Sequence, residues 1–398
     1  MIRRLCSPLF EWIFPLGIPL PWRQLTAETK RFVVAVAGIT FAVTMMLFQM
    51  GLNSALFSQV VAPILQMRGD IVLISPQFEY LGVSHEFPEA RLFSAKGFEE
   101  VQSVTSLNLG SLPFKNPQTG RERDIFILGF NPAEKPFTNP EILGQQDKLK
   151  LEGVTLFDRL SREDYGPMAK LLADDNGQVP TEVSSQHIRI EGLFQMGVTF
   201  AADGNLLMGR ETFLKVSPGA RADYISLGLI TLQPGVDPDV FAAKLDNRLP
   251  NDVQVLTYKQ FVEKEKRYWS ERTPIGFVIG ASMIVALVVG AVIVYQILYT
   301  DVTDHLPEYA TLKAIGFTDG YFIRLVLQES IILSVLGFLP GLALAAGLYW
   351  LTRTYAHMPA YLAPGNVAAV FGLSLLMCLL AGALATRKLR RANPADIF

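Results

Sequence analysis

Cysteine, histidine and charge are all scarce in this chain of 398 residues, and each scarcity removes a class of explanation. The two cysteines, Cys6 and Cys378, fall near opposite ends, so no disulfide can staple the long middle of the chain. The four histidines, His85, His187, His305 and His357, lie far apart, with no second ligand at metal-site spacing. No G-x-x-x-x-G-K-[ST] occurs, which excludes a phosphate-binding loop of that type, and no G-x-S-x-G elbow marks a hydrolase nucleophile. Lys and Arg number 35 against 37 Asp and Glu, with no basic patch for nucleic acid. The expectation is a chain with no catalytic residues, no metal and no cofactor of its own.

What is present is apolar surface in long blocks. Hydrophobic residues make up 50% of the chain and charged ones 18%, and four segments lack the polar face of an amphipathic helix. They are residues 32–57, 275–298, 325–348 and 367–384, and only Glu329 carries a charge within them. About 20 residues of helix cross a bilayer, so each is a candidate span. Residues 9–20 are also apolar, but Glu11, Pro15 and Pro19 interrupt them and they read as interfacial.

Basic residues set the orientation. Arg3, Arg4, Arg23, Lys30 and Arg31 precede the first span, and Arg387, Lys388, Arg390 and Arg391 follow the fourth. Lys and Arg beside spans mark the cytoplasmic side, which puts segments 1–31 and 385–398 inside the cell, with 299–322. Residues 58–274 and the short loop 349–366 then lie outside, and 58–274 is long enough to be a folded domain.

Within that domain, β-rich and helical runs alternate. Residues 70–75 read as a buried strand, Ser94 as the cap of a helix with the body Phe98–Val104, and residues 106–112 and 124–130 as strands. Near the other end, 224–232 is a strand, Asp237-Pro238 opens a helix to Leu249, and 252–256 is a strand again. Two strand-helix-strand units at the two ends give a split βαβ, porter-like arrangement, and 131–222 reads as an inserted β-rich subdomain. The fold class is therefore an α+β membrane protein with four transmembrane helices and one large periplasmic domain. Residues 51–67 and 257–272 read as helical stalks joining that domain to the first two spans.

Four groups of residues carry a family resemblance. Residues 21–76 contain Arg31, the Gly38-Ile39 pair and Gly69-Asp70 before an apolar strand, and resemble the start of MacB/FtsX-type permeases. Lys115-Asn116-Pro117-Gln118-Thr119 and Leu128-Gly129-Phe130-Asn131-Pro132 look like the DevC subfamily. Residues 308–316 resemble the coupling helix of these permeases, with Glu308, Tyr309, Leu312, Lys313, Ile315 and Gly316 at the matching positions. As a helix, Tyr309, Leu312 and Ile315 share one side and Gly316 is a stop. The third span, with Glu329 early and Gly337-x₃-Gly341 after it, is similar to the acidic residue and glycine ladder of the family. Small residues four apart permit close helix approach, and Gly276-x₃-Gly280 in the second span offers the same. Glu329 needs a partner or water inside a bilayer, and Arg324 lies five residues before it. The last residues, with Asn393-Pro394 and Asp396, resemble the family's basic tail.

The resemblance implies a homodimeric permease of the mechanotransmission type in the inner membrane. It implies a separate cytoplasmic ABC ATPase that binds the ATP, a periplasmic adaptor of the membrane fusion type and an outer-membrane TolC-like channel. Export of a lipid or glycolipid is what the DevC likeness suggests. The alternatives within the same superfamily are an FtsX-like signalling permease that regulates a periplasmic enzyme and a LolC/LolE-like lipoprotein-releasing subunit.

Overall fold

The computed structural model describes residues 29–174, 177–199, 202–304, 307, 311–312, 315–355 and 361–391. The chain divides into two compact units, Met1–Leu56 with Gly276–Phe398, and Phe57–Ile275.

The first unit holds four helices long and apolar enough to cross a membrane: Thr29–Leu65, Pro274–Asp304, Asp319–Tyr355 and Pro364–Arg391. They are called the first to fourth spans below. Ile39, Val43, Met46, Leu47, Val294, Leu298, Leu333 and Met377 form their shared core. Much of the second span remains outside it, with Phe277, Val278, Ile284, Val285, Val288 and Val292 exposed.

In the second unit, eleven strands follow in order: β1 (Ile71–Ile74), β2 (Phe87–Pro88), β3 (Val101–Lys115), β4 (Glu122–Phe130), β5 (Val154–Asp158), β6 (Val179–Val183), β7 (Gln186–Phe194), β8 (Asn205–Gly209), β9 (Tyr224–Ile225), β10 (Leu227–Leu232) and β11 (Gln254–Thr257). The large sheet runs β11-β1-β10-β3-β4-β8-β5-β7-β6. Its first four strands are antiparallel neighbours. With the helices Ala90–Ala95 and Pro238–Asp246 they form the split βαβ pair expected from the two ends of the domain. Alternation along β1 separates two cores: Ile71 and Leu73 face Leu92, Phe241 and Leu245, whereas Val72 and Ile74 face the cluster of Leu107, Leu229, Phe78 and Phe261.

The remaining strands bend back on themselves. β6 pairs with the far end of β3 through Phe114↔Val183 and Lys115↔Glu182, which closes β3-β4-β8-β5-β7-β6 into a six-strand ring. Lys115 Nζ also pairs with Glu182 Oε2 at 2.9 Å. The inserted strands of 131–222 thus use β3 and β4 to complete their sheet, because β5 to β8 alone would leave open edges.

Two local expectations fail. The helix expected from Ser94 onward lies one turn earlier, at Ala90–Ala95, where Ser94 Oγ instead bonds Ala90 O. From Val101 the chain is already β3, because Val104 and Thr105 to Leu109 are needed as partners for β10 and β4. The second stalk is also interrupted. The helix Tyr258–Arg267 passes into a π-helical turn at Tyr268–Arg272 and stops at Thr273, whose ψ of 154° is extended. Pro274 imposes this, since its ring excludes helical backbone at the preceding residue.

A half-buried ion pair ties the βαβ half to the ring. Arg210, at the start of the helix Arg210–Val216, meets Glu89 through both guanidinium nitrogens, at 2.5 and 2.8 Å, and also donates to Ser106 Oγ and Ala222 O. Removing one partner strands the other charge. Arg210→Ala is expected to lower the domain's stability by about 3–5 kcal/mol, read as a lower denaturation midpoint by circular dichroism.

Candidate functional site

Two features of the membrane unit carry the site: the contact between the first and third spans, and the turn between the second and third. At the contact, a Cβ on Gly337 would collide with Ile39, and one on Gly341 would lie 2.8 Å from Val43 Cγ1. Only glycine permits that approach. Thr40 Oγ1 donates to Gly337 O at 3.2 Å, while Thr44 Oγ1 donates to Thr40 O of its own helix at 2.7 Å and lies 3.2 Å from Gly341 O. Gly337 and Gly341 thus pack against the first span, with the Thr40 hydroxyl bonded across the contact.

The neighbouring glycines divide differently from expectation. Gly280 of the second span has nothing within 4 Å of where its Cβ would be, so it makes no such contact among the described residues. The close approaches of that span are instead at Gly290, against Ala42 and Met377, and at Ile293, against Gly38. Glycine spacing could not separate these sites, because Gly290 and Gly38 have no second glycine four positions away in their own helices. Where the first two spans part, a groove of about 520 Å³ opens between Val34, Ala37, Ile293 and Ile297, with Arg31, Gln296 and Thr300 also lining it. Arg31 pairs with Asp304.

Glu329 has no accessible surface, and its neighbours Ser330, Leu333 and Ser334 are buried with it. A Cβ on Gly382 would collide with Ser330 Oγ, and Ser334 Oγ lies 3.4 Å from Ser374 Oγ, so the third and fourth spans also meet through small residues. Arg324 is exposed. A solvated position at the membrane surface therefore does not describe Glu329.

Of the expected coupling residues, Glu308, Tyr309 and Lys313 lie outside the described residues. Leu312 turns inward, against Val302, Leu325 and Val326. Ile315 is 73% exposed and Phe317 38%. Gly316 has φ of +112°, and Phe317 N–H donates to Leu312 O at 3.1 Å, the six-to-one bond of a glycine-terminated helix end. The shared apolar face expected for Leu312 and Ile315 is thus divided: one residue anchors the turn to its own protein and the other is presented outward.

This is a polytopic membrane protein with a large mixed α/β domain between its first two spans. Residues 280–394 match the FtsX-like permease C-terminal family. The chain is 30% identical over 112 residues to the macrolide export ATP-binding/permease protein MacB of Bdellovibrio bacteriovorus, covering 28% of this chain and 17% of that protein. It is 27% identical over 119 residues to the ABC transporter permease YknZ of Bacillus subtilis, covering 30% of each. To MacB of Chromobacterium violaceum it is 22% identical over 282 residues, 69% of this chain and 38% of that one. The chain thus spans well under half the length of these curated relatives. Among solved structures, the periplasmic region of MacB from Actinobacillus actinomycetemcomitans aligns with a TM-score of 0.35 at 11% identity, covering 50% of this chain and 92% of that one. The extracellular domain of YknZ aligns with a TM-score of 0.31 at 14% identity, covering 47% and 98%. Residues 280–394 are thus similar to FtsX-like permeases, and longer stretches of the chain are similar to MacB.

The two kinds of glycine should respond differently to substitution. Gly337→Leu forces overpacking at the first span and is expected to cost about 1–3 kcal/mol, seen as a lower melting temperature of the purified chain in detergent. Gly280→Leu, where a side chain meets nothing within the single chain, should lower that temperature less when the monomer is measured.

Proposed function

We propose that the chain is the permease subunit of an ABC exporter in the bacterial inner membrane, with both termini in the cytoplasm and the domain Phe57–Ile275 in the periplasm. The observation that carries this reading is the glycine-stopped turn between the second and third spans. It is anchored inward by Leu312 and presents Ile315 and Phe317 to a partner. We take that partner to be a cytoplasmic ABC ATPase, since relatives similar to this chain are described as ATP-binding/permease proteins. ATP binding there moves the turn, and the spans pass the movement to the periplasmic domain, which engages an adaptor and, through it, an outer-membrane channel.

The open face of the second span supports a homodimer. Gly276 and Gly280 lie on a helix whose apolar side chains are largely uncovered, and small residues four apart there suit a second copy. A lipid or glycolipid cargo rests on the likeness of Lys115–Thr119 and Leu128–Pro132 to DevC.

The direct test is Ile315→Asp, which places a charge in the proposed contact. An unpaired interfacial carboxylate costs roughly 2–5 kcal/mol, more than a tenfold loss of affinity. The variant should insert and fold normally while losing co-purification of the ATPase and export. Wild-type association would reduce this turn to a connector at the membrane surface.

A further inference from the structure

The helix Tyr258–Arg267 carries an acid where its pattern calls for an apolar residue. It opens on a capping box, in which Thr257 Oγ1 accepts from Gln260 N–H and Gln260 Oε1 accepts from Thr257 N–H. Its buried side then presents Phe261, Glu265 and Trp269, four residues apart. Phe261 packs on Phe78 at 5.5 Å between ring centroids, which is the bland core solution. One turn on, Glu265 is only 1% exposed.

Two neutral donors hold this carboxyl group. Leu81 N–H donates to Glu265 Oε2 at 3.0 Å, and the Trp269 indole N–H, from the π-helical turn, donates to Oε1 at 3.2 Å. Tyr80 closes over them, stacked on Tyr268 at 4.5 Å and edge-on to Trp269 at 5.4 Å. The titratable groups that face the site are Tyr80, with Glu79 behind it, from the loop, and Tyr268 from the turn. On the helix itself, Lys264 points away to Gln254 Oε1, and Glu263, Lys266 and Arg267 are exposed. Among the described residues no cation pairs with Glu265, so its ionised form is buried against two neutral hydrogen bonds alone, an unfavourable state.

We propose that Glu265 is a proton-dependent latch: protonated, it holds residues 77–83 against the helix Tyr258–Arg267, and ionised, it releases them. Burial pushes the carboxyl group up from its ordinary 4.5 to about 7, while the Trp269 and Leu81 donors pull it back. Below the ordinary value both latched and released states keep the proton, and the latch is fully closed. Between about 4.5 and about 7 only the latched state keeps it, so the opening equilibrium rises roughly tenfold per pH unit and levels off above that range. The released segment carries Tyr80 away from Tyr268 and Trp269, uncovering the π-helical turn that precedes the second span.

Hydrogen exchange of the Leu81 amide reports the latch, because that amide bonds the carboxylate itself. In the full chain in detergent micelles, with the intrinsic pH dependence of exchange divided out, protection of Leu81 should fall steeply from about pH 5 to about pH 7 and then level. In Glu265→Gln, which keeps an acceptor but no titration, it should not change with pH. Should Glu265→Gln fail to fold, Trp269→Phe serves instead. Loss of the indole donor, which favours the charged form, should move the transition to higher pH. A wild-type protection that ignores pH, a transition that persists in Glu265→Gln, or one left in place by Trp269→Phe would each overturn the latch.

Discussion

The membrane unit depends on two missing side chains. The first span reaches the third only because Gly337 and Gly341 leave room for Ile39 and Val43, and that closeness brings the hydroxyls of Thr40 and Thr44 within reach of the glycine carbonyls. In a bilayer, apolar side chains gain nothing by leaving lipid for each other, so association rests on tight packing and on such interhelical bonds, worth about 0.6 kcal/mol each. The first span therefore has one well-defined partner face. Gly38 and Gly290 repeat the device against the second span, and Gly382 repeats it between the third and fourth.

The soluble unit meets the opposite problem. Its sheet must bury both faces with no disulfide, and it does so through period-two alternation: β1 feeds one core with Ile71 and Leu73 and another with Val72 and Ile74. Closure of the six-strand ring through Phe114 and Lys115 removes the edges that β5 to β8 would expose. Asp158 accepts from Leu160, Met196 and Gly197 N–H and from Asn205, which fixes the end of β5.

Long apolar runs and period-two strands were legible from residues alone, because their signals are local. So was Gly337-x₃-Gly341, although not which helix would fill it. The Gly38-Ile39 pair makes physical sense once folded: Gly38 admits Ile293 while Ile39 seats on Gly337. Asn116, part of the segment read as a subfamily mark, is a turn-former whose Oδ1 accepts from Gln118 and Thr119 N–H, and Gly129 makes room for Phe213. These are packing reasons for two residues of the segments that carry the subfamily likeness. What failed to show was non-local. Leu312 and Ile315 share a spacing, but the neighbours that bury one and leave the other exposed lie in the second and third spans. Glu265 reads as one more charge in a polar helix until the loop bearing Tyr80 is folded over it.

The proposed topology would put the domain Phe57–Ile275 and the turn at Ile315 on opposite sides of one membrane. Single cysteines at Lys148 and Thr318, in a chain with Cys6 and Cys378 replaced by alanine, measure this directly by labelling with a membrane-impermeant maleimide in cells whose outer membrane is permeabilised. Labelling of Lys148→Cys in intact cells, with Thr318→Cys reacting only after the inner membrane is lysed, is the predicted result. Equal labelling of both in intact cells, or the reverse pattern, would contradict it.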